Sequence, residues 1–415
     1  TAKVTAAYNA AANGIGNAHV KDVTVTLPEG TSIAPPSADG LAGCTPEQLK
    51  LGSTEDVACP EASKIGDVRI DTPVLPGPLT GHVYLRQPTR EQLFAIAIVA
   101  RGYGVVVKLP GDIHPDRVTG QVVAEFRNNP QLPFTELTVR FKGGPRAPLT
   151  NPQTCGQHTT TTTITSWAGH RQTSADTFTI DQGPDGGPCQ PLGFSPSFTA
   201  GMLDAAAGRS STFSLTFGRS DGDQDLSSVT VQMPPGLTGK LALVEQCPDV
   251  LANAGACDEG SRIGSVTAGA GAGSIPFYLP GRVYMTGPYK GAPLGLSIVV
   301  PAVAGPFDLG TVVVRAAVFV DPVTAALRVV ADPMPTILEG VPLRVRTVNV
   351  RIDKPGFMIN PTGCKRKDVT GTIVSSRGAT AAVGSKFVAV NCRSLPLRQR
   401  LVLAVGARGA TGRDR

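Results

Sequence analysis

Apolar and polar residues alternate along many short segments of this chain. In Val345–Ile352, which reads Val-Arg-Thr-Val-Asn-Val-Arg-Ile, the alternation places apolar side chains on one face of an extended strand. Segments of similar character recur at 211–217, 228–233, 281–285, 294–300, 311–320, 325–331, 369–375 and 386–390. Antiparallel sheets with one face in water and the other in a core produce this pattern. The chain is therefore predicted to be all-β, built from antiparallel β-sandwiches.

Turn and helix signals agree with this fold class. The 48 glycines and 36 prolines are spread between runs of valine, threonine and isoleucine, as in short strands joined by tight turns. Residues Asp321–Thr324 read Asp-Pro-Val-Thr between two strand segments and predict a hairpin turn. Helix is predicted only in short pieces near Pro46–Lys50 and Pro248–Asn253.

The second half of the chain repeats motifs of the first half in the same order. The matching pairs are Val23–Gly30 with Val229–Gly236, Ser63–Gly66 with Ser261–Gly264, Gly81–Tyr84 with Gly281–Tyr284, and Asn151–Cys155 with Asn360–Cys364. Self-similarity of this kind indicates tandem structural units. We predict a first repeat at 1–190 and a second at 191–392, each one sandwich or two subdomains, and a C-terminal segment at 393–415.

All eight cysteines fall into four equivalent positions of the two repeats. Pairing the nearest cysteines within each repeat predicts four disulfides, Cys44–Cys59, Cys155–Cys189, Cys247–Cys257 and Cys364–Cys392. Zinc is the alternative use of these cysteines, but the chain has no Cys-x-x-Cys spacing and the second repeat has no histidine. Bridged cysteines indicate an oxidising compartment, so an extracellular or cell-surface location is expected.

The start of the second repeat has a recognisable pattern. Residues 211–217 read Ser-Thr-Phe-Ser-Leu-Thr-Phe, and residues 226–237 read Leu-Ser-Ser-Val-Thr-Val-Gln-Met-Pro-Pro-Gly-Leu after an acidic loop. This pattern resembles the start of the immunoglobulin-like repeat modules of bacterial surface proteins. The whole chain is similar to uncharacterised multi-repeat secreted surface proteins of actinobacteria. The resemblance implies immunoglobulin-like sandwiches and an extracellular surface role, and it supplies no catalytic residues.

The acidic loop of the second repeat is a candidate metal site. Asp221, Asp223 and Asp225 alternate with other residues, and Ca²⁺ prefers such hard oxygen ligands. The loop is not an EF-hand, because Leu226 stands where that loop requires glycine. Its counterpart in the first repeat lacks the charges, and a solvated hairpin loop is the alternative interpretation. No other cofactor is expected.

The sequence contains few candidates for catalytic or glycan-binding residues. The five histidines, His19, His82, His114, His158 and His170, all lie in the first repeat. A histidine-based site therefore cannot be a property of the repeated unit, and we expect no enzymatic activity. Thr159–Thr163, followed closely by Trp167, could present hydroxyl groups to glycans, but an ordinary threonine-rich strand explains them as well.

Charge and hydropathy limit the partners. The formal net charge is +6, and its small concentrations at Lys365–Lys367 and in the arginine-rich C-terminus have no interleaved aromatic residues, so a nucleic-acid partner is not expected. The most apolar stretch, Ala292–Phe307, contains Pro301 and Pro306, so no membrane span is expected.

The C-terminal segment resembles an opening segment that the first repeat lacks. Cys189–Phe198 opens the second repeat, and Cys392–Leu401 reads as the opening of a third. Thr1 aligns near Ala207, so the first repeat lacks a counterpart of the opening segment. We predict that the C-terminal strand of one molecule fills this vacant edge in the next, through Leu395, Leu397, Leu401 and Leu403. The alternative is that the chain is a piece of a longer array, whose neighbouring repeat supplies the strand.

Two classes of function follow from these observations. The first is an extracellular structural protein, a subunit of a surface filament, stalk or layer that forms a head-to-tail homopolymer. The second is a cell-surface adhesin or glycan-binding module that contacts a cell wall or a glycan. Self-association distinguishes the two, because only the first requires polymerisation through the termini.

Overall fold

Extended segments predominate in the computed structural model, which describes residues 1–9, 14–397 and 400–402. The fold is all-β, as the alternation of apolar and polar residues predicts. Most strands join one of two large antiparallel sheets, the first with ten strands and the second with eleven. The strands of the first sheet lie between Ala2 and Ile180, and those of the second between Ser197 and Phe387.

The strands of the first half are β1 (Ala2–Thr5), β2 (Val20–Thr26), β3 (Ser32–Ile33), β4 (Lys64–Asp71), β5 (Leu79–Leu85), β6 (Ala95–Gly102), β7 (Val105–Pro115), β8 (Val122–Phe126), β9 (Glu136–Phe141), β10 (Leu149–Thr150), β11 (Gly156–Ser166) and β12 (Arg171–Ile180). The ten-stranded sheet has the order β1-β9-β4-β5-β6-β7-β8-β2-β11-β12, and β3 pairs with β10 separately.

The strands of the second half are β13 (Ser197–Met202), β14 (Phe213–Gly218), β15 (Leu226–Gln232), β16 (Thr238–Gly239), β17 (Arg262–Ala270), β18 (Phe277–Thr286), β19 (Leu294–Ala304), β20 (Phe307–Val320), β21 (Leu327–Ala331), β22 (Ile337–Leu338), β23 (Val341–Pro342), β24 (Thr347–Ile352), β25 (Met358–Ile359), β26 (Lys367–Ser375) and β27 (Thr380–Phe387). The eleven-stranded sheet has the order β13-β14-β24-β17-β18-β19-β20-β21-β15-β26-β27. β16 pairs with β25 and β22 with β23.

The two sheet orders become identical once β13 is removed from the second. β1 then corresponds to β14, β9 to β24, and so on along the sheet as far as β12 and β27. We refer to the first-half and second-half sheets, with their connections, as the first and second units. The second unit thus contains one strand, β13, that has no counterpart in the first sheet.

The helices are short, and the predicted disulfide pairs clip both α-helices to the sheets. α1 (Pro46–Leu49) lies within the Cys44–Cys59 loop, and α2 (Asp249–Ala254) within the Cys247–Cys257 loop. The remaining bridges, Cys155–Cys189 and Cys364–Cys392, are also the pairs expected from the repeat. Five 3-10 turns complete the elements: Pro35–Ala38, Glu61–Ser63, Leu241–Leu243, Glu259–Ser261 and Cys392–Ser394.

The repeated Ser-x-Ile-Gly motif has a steric explanation. Gly66 and Gly264 each lie where the pairing register of a strand shifts by one residue. A Cβ atom at Gly66 would lie 2.5 Å from the carbonyl oxygen of Arg140, and one at Gly264 would lie 2.0 Å from that of Arg351. The motif recurs because both units bring the neighbouring backbone too close for any side chain.

The two units contact each other directly. Phe307, at the start of β20 in the second unit, packs against Phe94 of the first, with ring centroids 5.2 Å apart. Arg117 of the first unit forms an ion pair of 2.7 Å with Glu339 of the second. Arg344 donates a hydrogen bond of 3.1 Å to the carbonyl oxygen of Gly30. The β19–β20 hairpin therefore closes one end of the first unit's core.

In the part of the chain that the structure describes, no helix combines the length and the apolar character needed to cross a membrane.

Candidate assembly site and apolar cavity

In the second unit, β13 occupies a seat at the edge of the sheet. β13 pairs antiparallel with β14 over its full length, from Ser197 opposite Gly218 to Met202 opposite Phe213. On its other side it packs against β27. The chain beyond β13 is held as well, because the backbone N–H of Val390 donates to the carbonyl oxygen of Ala205. We call this position, between β14 and β27, the strand seat.

The strand seat is lined by apolar side chains that β13 covers. Phe198 and Met202 of β13 pack against the core of the second unit, and Ala200 is 8% exposed. Phe387 of β27 is 5% exposed. β13 therefore completes the hydrophobic core in addition to satisfying the backbone of β14.

No described residue occupies the equivalent position in the first unit. β1 is the terminal strand of the first sheet, and β12 is the terminal strand at the other end. All residues of β12 except Ile180 are exposed. Phe178, which corresponds by register to Phe387, is 39% exposed. The described part of the first unit thus has the two borders of a strand seat without a strand between them.

An asparagine of the repeat marks the same difference. Asn360 in the second unit is 1% exposed, and its side-chain amide donates hydrogen bonds of 2.7 and 2.9 Å to the carbonyl oxygens of Asp204 and Ala206. These carbonyls belong to the segment that follows β13. The equivalent Asn151 of the first unit is exposed. The repeat preserves the residue that holds this segment.

Sheet register corrects the alignment of the chain start. Ala2 lies opposite Val139, as Leu215 lies opposite Val350, so Ala2 corresponds to Leu215. The prediction that Thr1 aligns near Ala207 was wrong, because fourteen residues (6–19) join β1 to β2 whereas seven (219–225) join β14 to β15. Counting backwards from the valine-threonine motif therefore misplaces the first strand.

The smaller side chains of β1 border a large internal cavity in the first unit. By the same register Val4 corresponds to Phe217, so alanine and valine stand where the second unit has leucine and phenylalanine. The cavity has a volume of about 320 Å³, and its walls include Ala2, Val4, Val25 and Leu109.

The four leucines predicted to form the added C-terminal strand have different environments. Leu395 is half-buried and lies next to Gly208 of its own chain, whereas Leu397 and Leu401 are 87% and 82% exposed. Leu403 lies outside the described residues. Counted from the equivalent cysteines Cys189 and Cys392, the last three leucines occupy the positions of Phe194, Phe198 and Ala200. They match the residues of the opening segment that pack against or lie in the second core.

The acidic loop forms ion pairs instead of a common ligand set. Asp225 pairs with Arg219, whose side chain is fully buried, and Asp221 pairs with Arg346 at 2.5 Å. Asp223 accepts a hydrogen bond of 3.0 Å from the backbone N–H of Ser195. Among the described residues, no group of three acidic, histidine or cysteine side chains is arranged to hold a metal ion. This geometry gives a calcium site at Asp221, Asp223 and Asp225 no support. Arg219 stands two residues before Asp221 in the sequence, whereas Arg346 comes from a distant part of the chain.

Burial and charge act in opposite directions on Arg219. Burial lowers the pKa of its guanidinium group, and the carboxylate of Asp225 counteracts this shift. The guanidinium also donates to the carbonyl oxygens of Val345, Ser220 and Asp223. The ion pair between Arg219 and Asp225 thus holds the residue after β14 against the residue before β15.

The remaining candidates lie apart from the strand seat. His82 makes a hydrogen bond of 2.9 Å with Asp67 on an exposed surface, and its counterpart in the second unit is Arg282. Thr159–Thr163 lie on β11, where the hydroxyl of Thr163 contacts that of Thr173 at 3.0 Å. The structure does not bring the five histidines together into one site: His82 and His114, for example, contact different acidic residues.

No protein-family model matches this chain. No curated protein matches it significantly.

Proposed function

We propose that this chain is an extracellular structural protein, a subunit of a surface filament, stalk or layer that assembles head to tail. The observation that carries the proposal is the strand seat, which β13 fills in the second unit and which no described residue fills in the first. The segment after Cys392 has the apolar spacing of the segment that fills the seat. Residues 395–405 of one molecule would therefore add to β1 of the next.

The physical basis is strand addition. An edge strand exposes unpaired backbone N–H and C=O groups, and an added strand satisfies them while its apolar side chains enter the core. Leu395, at the start of the donor segment, lies next to Gly208 of the second unit, whereas the acceptor strand β1 belongs to the first unit. Such heterologous contacts generate open chains unless the rotation between subunits closes a ring.

The disulfides and the resemblance both support an external location. Four disulfides are compatible with an oxidising, extracellular compartment. The resemblance to multi-repeat surface proteins of actinobacteria points to the same environment. A surface polymer would benefit from covalent cross-links in each unit, because they stabilise the folded state outside the cell.

Electron microscopy and size-exclusion chromatography test the proposal. The samples are the full chain, a chain ending at Cys392, and the full chain carrying Leu401→Asp. The control is Val250→Asp, which places the same charge at an 80% exposed position on α2. We expect filaments or concentration-dependent oligomers from the full chain and the control, and monomers from the other two.

Monomers from every sample at high concentration would contradict assembly through the C-terminal segment. Polymers that persist in Leu401→Asp would contradict the proposed donor strand. A monomeric chain that binds an immobilised glycan would instead favour the adhesin function.

A further inference from the structure

The cavity of the first unit offers an almost entirely apolar interior. Three polar side chains at its boundary already donate to backbone carbonyl oxygens: Ser37 to Ala34 at 2.7 Å, Thr72 to Pro133 at 2.8 Å and Asn129 to Lys21 at 2.8 Å. Buried polar groups of a ligand would find few partners there. The interior therefore suits a hydrocarbon.

The shape of the cavity favours a linear ligand. Ile65 and Ile70 of β4 both border it, and five residue steps along a strand span about 17 Å. Val23 of β2 and Val139 of β9, which stand six places apart in the order of the ten-stranded sheet, also line it. A space of this length fits an extended chain better than a compact fused ring system.

The two ends of the interior differ. Phe307 of the second unit borders the cavity and packs on Phe94, so this end is closed by aromatic rings. Ala2 and Val4 border it on another side and belong to β1, the last described strand at that end of the sheet. A ligand that enters beside β1 can bury its hydrocarbon part and leave its polar end in water.

We infer that the first unit binds the acyl chain of a lipid in this cavity. Its volume of about 320 Å³ is about twice that of an engineered apolar cavity that binds benzene, so it accommodates about twelve carbons of such a chain. The inference rests on described residues of the first unit, and the proposed donor strand, which would pair with β1, would compete with the lipid for the opening at that edge.

The second unit has larger side chains at the positions where the first unit borders the cavity. At the positions of Ala2 and Val4 it has Leu215, 8% exposed, and Phe217, 2% exposed, both in its core. The same fold can therefore be packed with larger side chains at this edge. The double variant Ala2→Leu, Val4→Phe introduces the packing of the second unit into the first.

Fluorescence titration with a linear polyene fatty acid tests the inference on the full chain. We expect saturable binding of one equivalent to the natural sequence and at least tenfold weaker binding to Ala2→Leu, Val4→Phe. The control Thr5→Phe adds bulk to the same strand at the exposed residue next to Val4 and should bind as the natural sequence does. Thermal unfolding of each variant shows whether weaker binding reflects a loss of fold.

Competition identifies the source of the acyl chain. Displacement of the polyene by palmitate indicates a free fatty acid, and displacement by phosphatidylcholine vesicles indicates a membrane lipid. Octanoate, which fills less of the cavity, should compete at least tenfold less well than palmitate. Absence of saturable binding, or equal binding by the natural sequence and a folded Ala2→Leu, Val4→Phe variant, would overturn the inference.

Discussion

Arg219 shows how single residues define this fold where the alternation pattern says nothing. Its side chain is fully buried, yet it bonds to the Asp225 carboxylate and to three backbone carbonyls. A buried charge is tolerated when its hydrogen-bonding capacity is filled in this way. The sequence places Arg219 two residues before Asp221, but it does not show that the side chain is buried or that it bonds to Asp225, and the three aspartates alone suggested calcium.

Replacing Arg219 tests this role. Arg219→Leu removes the cation and leaves Asp225 without its buried partner, and breaking such a pair costs about 3–5 kcal/mol. The control is Arg69→Ala, which removes an exposed ion pair with Asp71 and should cost less than about 1 kcal/mol. Urea unfolding followed by far-UV circular dichroism measures the free energy of unfolding of both variants. Equal, small losses would contradict the structural role of Arg219.

The hairpin turn after β20 predicts a pH effect. Asp321 accepts hydrogen bonds from the hydroxyl and backbone N–H of Thr324 and the N–H of Val323, and these bonds lower the pKa of its carboxyl. A lowered folded-state pKa stabilises the protein above the ordinary value of about 3.9 and loses this contribution as pH falls. Thr324→Val removes the largest cause, so the pKa of Asp321 should rise.

Carboxyl carbon NMR titration measures that change. The first unit supplies a matched control, because Asp116 makes the equivalent bonds with Thr119 and its pKa is lowered for the same reasons. Thr324→Val should leave the titration of Asp116 unchanged. An unchanged titration of Asp321 would show that the hydroxyl does not hold the carboxylate.

At the scale of elements, local patterns were informative and long-range pairing was not. Alternation in Val345–Ile352 predicted a strand, found as β24, and repeat spacing predicted the four disulfide pairs. Equivalent cysteines also related the segment after Cys392 to the segment containing β13. The cavity could not be predicted, because it depends on which side chains of eleven strands face the same interior.

A glycine substitution tests the explanation of the repeated motif. Gly264→Ala would place a Cβ 2.0 Å from the carbonyl oxygen of Arg351, so β17 or β24 must move. Overpacking of this kind typically costs about 1–3 kcal/mol. Gly363→Ala is the matched control, since no atom lies within 4 Å of its added Cβ. Urea unfolding should show the loss for Gly264→Ala alone, and equal stabilities would mean that the motif has another basis.

At the scale of the whole molecule, the second unit contributes to the core of the first. Fifteen residues (299–313) lie between the paired residues Ile298 and Val314 of the β19–β20 hairpin. Only ten (99–108) lie between the equivalent Ile98 and Leu109 of β6–β7. The longer hairpin carries Phe307. This side chain is 7% exposed and packs among core residues of the first unit. Repeat symmetry alone gave no reason to expect this contact, because it exists only where the two hairpins differ.

Phe307→Ala should therefore destabilise the first unit, although Phe307 belongs to the sheet of the second unit. Removing a buried phenylalanine costs about 3–5 kcal/mol, and here the loss should fall on the first unit because the ring packs against Phe94. Hydrogen exchange followed by mass spectrometry should show faster exchange in β6 and β7, with β24 little changed. Val303→Ala, at a 52% exposed position of the same hairpin, is the control. Faster exchange confined to β19 and β20 would mean that the hairpin rests on the first unit without stabilising it.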